Sequence, residues 1–123
     1  MRVLIVDDED INRKVVVVLL SKHGIEVHEA KSGAQSIKMA EVEIYDFILM
    51  DIRMPEMNGF DAARAIAESI GISAKAPIIA LTAHAADRDK EWAAAAGMKG
   101  FLRKPFSVEE TMNMFNSLIL EKR

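Results

Sequence analysis

The sequence contains no cysteine and only three prolines among its 123 residues, and aromatic residues make up 6% of it. The lack of cysteine excludes disulfides, thiol chemistry and cysteine-based zinc sites. Long hydrophobic runs are also absent, because the longest aliphatic stretch extends only from Val15 to Leu20, far short of a membrane span. The four apolar residues before Asp7 are too few for the core of a signal peptide. We therefore expect a cytoplasmic domain with no membrane insertion.

An excess of positive charge is missing too, since 16 Lys and Arg are outnumbered by 19 Asp and Glu, for a net charge of −3. Four of these acids are consecutive, from Asp7 to Asp10, and removing the four leaves 15 acids against 16 bases. A nearly neutral remainder without a basic stripe argues against direct binding of nucleic acid. A hydrophobic content of 50% argues against a disordered acidic tail. The acidic excess is therefore a local feature near the N-terminus.

Short aliphatic runs alternate with longer segments that have helical punctuation. The predicted strands are 2–6, 25–29, 47–50, 77–81 and 100–102, and the predicted helices are 11–23, 34–42, 59–70, 86–96 and 108–121. The strand runs are continuously apolar more than alternating, which is typical of strands covered on both faces of a parallel sheet. Five strands alternating with five helices predict an α/β domain built on a doubly wound, five-stranded parallel sheet.

Several helix ends carry signals of their own. Ser32 with Gln35 and Ser107 with Glu110 have the spacing of capping boxes, which mark the starts of the second and fifth helices. Three helices are followed by a glycine suited to a left-handed C-terminal cap, namely Gly24, Gly71 and Gly97.

Polar side chains follow four of the predicted strands. Asp7 and Asp8 follow the first strand, Asp51 the third, Thr82 the fourth and Lys104 the fifth. Ligands bind outside the carboxyl ends of an open parallel sheet, so we expect these side chains to converge on one crevice. Clustered carboxylates suit a hard cation such as Mg²⁺, which often shares its site with phosphate. Without a cation, mutual repulsion favours protonation of at least one carboxylate.

Four stretches of the chain, in this order, resemble the receiver domain of two-component response regulators. They are VLIVDDE at 3–9, ILMDIRMPEMNG at 48–59, PIIALTA at 77–83 and KPF at 104–106. The resemblance implies a flavodoxin-like (βα)5 fold with strand order 2-1-3-4-5. It also implies that residues 1–123 are a single receiver domain with no output domain, similar to receivers of hybrid histidine kinases and to single-domain chemotaxis-type regulators.

The resemblance assigns the metal and the phosphoryl group to particular residues. Asp51 would accept a phosphoryl group from a histidine kinase, giving an aspartyl phosphate. Asp8, Asp51 and the backbone carbonyl of Arg53 would ligate Mg²⁺ directly, with Mn²⁺ as a substitute, and Asp7 would act through a coordinated water. A protein of this kind is a phosphoacceptor switch that takes part in its own phosphorylation and dephosphorylation, and is not an enzyme with a separate substrate.

The resemblance also implies a switch. Lys104 would bind one phosphoryl oxygen, Thr82 would move to bond another, and Phe101 would change rotamer into the vacated space. These movements would alter the surface of helix 4, strand 5 and helix 5. Lys104–Pro105 is expected to be a cis peptide bond on the same resemblance, while Phe101 read alone fits a plain core position equally well.

Arg53 and His84 each lie two residues beyond a matched site residue, where receivers vary. We expect this pair to set the lifetime of the phosphorylated state. The predicted partners are a sensor or hybrid histidine kinase and a histidine phosphotransfer protein, because the segments 11–14 and 80–85 are similar to those of hybrid-kinase receivers. The rival interpretation is a free regulator that binds a downstream protein target directly.

Two other classes of function fit the fold but not the residues. A phosphatase of the haloacid dehalogenase type usually carries a second acid two residues after its nucleophile, and that position here is Arg53. A flavodoxin-like cofactor binder needs a loop rich in Gly, Ser or Thr after the first strand. The loop here is Asp7 to Asp10, which repels phosphate unless a metal intervenes.

Overall fold

The computed structural model describes residues 1–83 and 86–121, in which short β-branched runs form strands and the segments between them form helices. The strands are β1 (Arg2–Val6), β2 (Glu26–Ala30), β3 (Phe47–Asp51), β4 (Ile78–Thr82) and β5 (Gly100–Arg103). The helices are α1 (Asp10–Ser21), α2 (Gly33–Val42), α3 (Gly59–Glu68), α4 (Asp87–Ala95) and α5 (Val108–Glu121). Each element begins and ends within two residues of the predicted position.

All strand pairs are parallel, and the order across the sheet is β2-β1-β3-β4-β5, which confirms the predicted fold class. The strand order reverses between β1 and β3, the point where a crevice opens at the carboxyl edge of such a sheet. In register, Asp51 lies opposite Leu81, and Thr82 opposite Arg103. The polar residues that end these strands therefore lie side by side.

Hydrophobic clusters cover both faces of the sheet. On one face, Leu4 and Val6 of β1 pack with alanines and isoleucines of α2, α3 and α4. On the other face, Val3 and Ile5 pack with α1 and α5, where the rings of Phe47 and Phe115 stack 4.2 Å apart. β3 and β4 are buried at every position, which explains why their sequences are continuously apolar.

Two of the predicted helix caps are confirmed, and both are serines. Ser32 Oγ accepts a hydrogen bond from the Gln35 amide at 3.1 Å, and Ser107 Oγ accepts one from the Glu110 amide at 3.0 Å. The prediction for Gly71 is wrong, since its φ angle is not positive. Its Cα instead packs so close to α2 that a Cβ there would lie 2.7 Å from the Glu41 Cα.

Gly24 and Gly97 do have the predicted left-handed conformation, with φ of 76° and 87°. Within residues 1–83 and 86–121, no helix is long and apolar enough to cross a membrane.

Candidate functional site

The strand ends bring three carboxylates together. Asp51 is the last residue of β3, and Asp7 and Asp8 directly follow β1. One carboxylate oxygen from each of the three lies within 4.8 Å of the others. Asp7 and Asp51 are buried, whereas Asp8 is exposed, so the cluster opens to solvent on the side of Asp8. Such a set of oxygens fits a hard divalent cation.

Lys104 supplies the positive charge of the cluster. It follows β5, and its Nζ donates to Asp7 Oδ2 at 2.9 Å and to Asp51 Oδ2 at 3.2 Å. Burial disfavours the charged ammonium, but the hydrogen bond that it donates to Asp7 and the attraction of Asp51 outweigh burial and raise the pKa of Lys104 above its ordinary value. The ammonium therefore stays charged beside both acids.

The protein raises the pKa of the Asp51 carboxyl above its ordinary value. Burial of the side chain, which is only 6% exposed as a residue, is the main cause. The Arg53 amide, which donates to Asp51 Oδ1 at 3.0 Å, opposes the shift, as does Lys104, while Asp7 adds to it. Burial thus makes the ionised form of Asp51 costly, and a cation beside it would relieve this cost.

The peptide bond between Lys104 and Pro105 is cis. The Lys104 amide donates to the Thr82 carbonyl at 2.7 Å, which joins the ends of β4 and β5. Thr82 is buried at the edge of the cluster, and Phe101 is half-buried on the face that α2, α3 and α4 cover. His84 lies outside the described residues.

A buried arginine supports the acidic loop, and the sequence reasoning missed it. Arg13 of α1 is 2% exposed, and its Nη1 donates to the backbone carbonyl of Asp7 at 2.9 Å. The same guanidinium bonds Glu29 of β2 and Asp10. Arg13 could have been found from helical spacing, because it shares the buried face of α1 with Val16 and Leu20 at i+3 and i+7.

Arg53 points away from the carboxylate cluster. Its Nη2 donates to Oδ2 of Asp89, a fully buried residue in the first turn of α4, at 2.8 Å. Asp89 was also missed, because acids in a first helical turn are common and usually exposed. Position 53 therefore lacks the second acid that a dehalogenase-type phosphatase carries two residues after its nucleophile.

Gly59 lets α3 begin directly against the strand that carries Asp51. The Gly59 amide donates to the Ile52 carbonyl at 3.2 Å. A Cβ at this position would lie 2.3 Å from the carbonyl oxygen of Asp51 and 2.7 Å from the Ile52 Cα. Asn58 caps the helix by accepting from the Asp61 amide at 2.9 Å. Any larger residue at position 59 therefore displaces the backbone of the site.

Comparison with known proteins agrees with this geometry. A family model described as the response regulator receiver domain matches residues 3–116. The chain is 35% identical to the protein PilH of Pseudomonas aeruginosa, covering 96% of this chain and 97% of PilH. It is 36% identical to the hybrid signal transduction histidine kinase G of Dictyostelium discoideum, covering 98% of this chain but only 4% of that kinase.

Among solved structures, the receiver domain of a sensor histidine kinase from Pseudomonas aeruginosa superposes with a TM-score of 0.85 at 36% identity, covering 94% of each chain. That structure holds a magnesium ion coordinated in its active-site cleft. Fold and site together define a general class of protein: a doubly wound domain with acids and a lysine at the carboxyl edge of its sheet. Within that class, this chain belongs to the response regulator receiver family, whose members act in two-component signalling.

Proposed function

We propose that Asp51 accepts a phosphoryl group from a phosphohistidine and that the domain works as the resulting switch. The observation that carries the proposal is the buried carboxylate of Asp51, 3.2 Å from the Lys104 ammonium and grouped with Asp7 and Asp8. In the transfer, an Asp51 oxygen attacks phosphorus, and the P–N bond breaks. The histidine nitrogen keeps the electron pair and takes up a proton. The phosphoryl group ends on the protein's own side chain, so we assign the domain the role of a phosphoacceptor switch.

The same residues fit a divalent cation. Asp8 and Asp51 would hold Mg²⁺ through their carboxylates and Arg53 through its backbone carbonyl, with Asp7 acting through a water. Mn²⁺ suits the same oxygen ligands. When bound, the ion neutralises the negative charge that donor and acceptor bring together. The magnesium-containing receiver from Pseudomonas supports this assignment by similarity.

Lys104 and Thr82 are the two side chains that we expect to bind the phosphoryl group. The Lys104 ammonium already contacts Asp51, and Thr82 ends the neighbouring strand. We assign one phosphoryl oxygen to each of these side chains. Phe101, half-buried on β5, then changes rotamer and alters the surface of α4, β5 and α5 for a downstream protein target. Phosphorylation of Asp51 would in this way change the affinity of the domain for its partner.

An exposed apolar strip on α1 supports a helical phosphodonor. Ile11, Val15 and Val18 are exposed at helical spacing, and Val15 also lines a groove that leads to Asp7 and Lys104. A histidine kinase or a histidine phosphotransfer protein with an amphipathic helix would pack the apolar face of that helix on this strip. A cytoplasmic location belongs to the same proposal. The single receiver domain over residues 1–123 also stays part of it.

The direct test is phosphorylation by acetyl phosphate, followed by intact-mass spectrometry. We expect one phosphoryl group per chain in the presence of Mg²⁺, little without it, and none in Asp51→Asn. Modification that survives Asp51→Asn would contradict the assignment.

The proposal also includes the rate at which the phosphoryl group is lost. Arg53 and His84 are the residues assigned to this lifetime, because each follows a site residue by two positions. The double variant Arg53→Ala/His84→Ala should therefore dephosphorylate at a rate different from that of the wild type. An unchanged rate would remove both residues from the mechanism.

A further inference from the structure

The start of α4 is tied to the rest of the protein by an ion pair. Ala86 occupies the N-cap position and has no side-chain acceptor for the helix amides. Asp89 stands three residues later, where a capping box would place an acid. Its fully buried carboxylate accepts from Arg53 Nη2 through Oδ2, while Oδ1 has no hydrogen-bond partner in the described part of the chain.

The other end of this ion pair reaches Asp51. The Arg53 amide donates to Asp51 Oδ1 at 3.0 Å, while its side chain, 53% exposed, extends to α4. Arg53 therefore contacts the acceptor through its main chain and α4 through its guanidinium. A planar guanidinium prefers an anion that it can bind with two parallel hydrogen bonds, and a phosphoryl group offers such oxygens. Asp89 uses only one of its oxygens here, so a phosphoryl group would offer the guanidinium a second hydrogen bond that Asp89 does not provide.

We propose that Asp89 is a positioning residue for Arg53, and that a phosphoryl group on Asp51 draws the guanidinium away from Asp89. This inference rests on the proposed phosphoacceptor role of Asp51. Once Arg53 leaves, Asp89 is a buried carboxylate without its cationic partner, which is an unfavourable state. Movement of the first turn of α4 toward water relieves it. Occupancy of Asp51 is thereby coupled to the position of α4.

Coupling of this kind is reciprocal. If an anion at Asp51 breaks the ion pair, then the cost of breaking the pair lowers the affinity of the wild type for that anion. A variant that lacks the pair does not have this cost and must bind the anion more tightly by the corresponding factor. Asp89→Asn keeps the shape of the side chain and removes its charge. With Mg²⁺ present, we expect it to bind beryllofluoride, a mimic of the phosphoryl group, about fivefold more tightly than the wild type. The matched control is Asp87→Asn, an exposed acid in the same helical turn, whose affinity should stay near the wild-type value.

A second experiment distinguishes whether Asp89 positions Arg53 or only stabilises α4. In an Arg53→Ala protein there is no guanidinium to release, so adding Asp89→Asn should leave the beryllofluoride affinity unchanged. If Asp89 only supports the helix, Asp89→Asn shifts the affinity equally in both backgrounds. The wild-type protein offers a measurement that needs no variant, because the Arg53 side-chain NMR signal should shift when beryllofluoride is added.

The fluorescence of Trp92 is the signal by which beryllofluoride binding is measured. It lies on α4, is half exposed and packs edge-on against Phe60 with ring centroids 5.9 Å apart. Equal affinities of Asp89→Asn and Asp87→Asn, or an Arg53 signal that does not move, would overturn the inference. A wild type that does not respond to beryllofluoride, or an Asp51→Asn variant that responds equally, would instead overturn the proposed phosphoacceptor function. Unfolding of each variant, followed by circular dichroism, confirms that the comparison is made between folded proteins.

Discussion

Replacement of Arg13 by Met tests whether a buried guanidinium stabilises the acidic loop. Methionine keeps an unbranched chain that is two heavy atoms shorter, and it cannot donate a hydrogen bond. Three acceptors lose a partner: the backbone carbonyl of Asp7 and the carboxylates of Glu29 and Asp10. The three losses are unequal because the acceptors differ in their exposure and in their other partners.

The Asp7 carbonyl dominates the expected cost, because its bond to Arg13 is buried. Loss of a charged donor to a buried acceptor costs about 1.5–3 kcal/mol. Glu29 keeps a second partner, Lys14, at 2.9 Å, so its share is below about 1 kcal/mol. Asp10, whose side chain is 73% exposed, returns to water and adds nothing to the estimate. We expect Arg13→Met to lower the free energy of unfolding by about 2–4 kcal/mol.

Urea unfolding followed by circular dichroism measures this change. The matched control is Lys14→Met, which also removes a bond to Glu29, but from a side chain that is 63% exposed. Its effect should be about 0.5 kcal/mol or less. If the two variants lose similar stability, or if Arg13→Met loses less than about 1 kcal/mol, the role given to the buried guanidinium is wrong.

Three further predictions concern the cluster itself. Gly59→Ala should lower the free energy of unfolding by about 3 kcal/mol or more in urea, because the new Cβ meets backbone, whereas Gly33→Ala meets only side-chain atoms at 3.1 Å and should cost less than half of that. The pKa of Lys104 is raised in the folded protein, so its contribution is complete below the ordinary value of 10.5 and is lost as pH rises through the folded value. The free energy of unfolding of the wild type should therefore fall as the pH is raised through this range. That of Lys104→Met should not show this fall. The pKa of Asp51 is raised from its ordinary 3.8, so ionised Asp51 destabilises the fold above that pH. At pH 7 without divalent ions, Asp51→Asn should therefore unfold at a higher temperature than the wild type, and a lower one would contradict the assigned cost of burial.

The fold could be predicted because its signals are local. Continuous apolar runs at β3 and β4 and the serine caps of α2 and α5 are read from neighbouring residues. The cluster of Asp7, Asp51 and Lys104 follows from the same signals, since parallel strands bring their carboxyl ends to one edge.

Other features depend on tertiary contacts that one sequence does not display. The partner of Arg53 lies 36 positions away on α4, and nothing near Asp89 marks it as buried. Gly71 has the position of a left-handed cap, but the close approach of Glu41 explains it instead. Arg13 and its neighbour Lys14 are both basic, and only the packing of α1 on the sheet buries the first and exposes the second.

Asp51 is the residue that we expect to carry the phosphoryl group. Borohydride reduces an aspartyl phosphate to homoserine, so peptide mapping by mass spectrometry after acetyl phosphate treatment identifies the modified residue. We predict homoserine at position 51 in samples that contain Mg²⁺, and unmodified aspartate at positions 7 and 8. Homoserine at position 7 or 8, or equal conversion of Asp51 without a divalent ion, would contradict the mechanism.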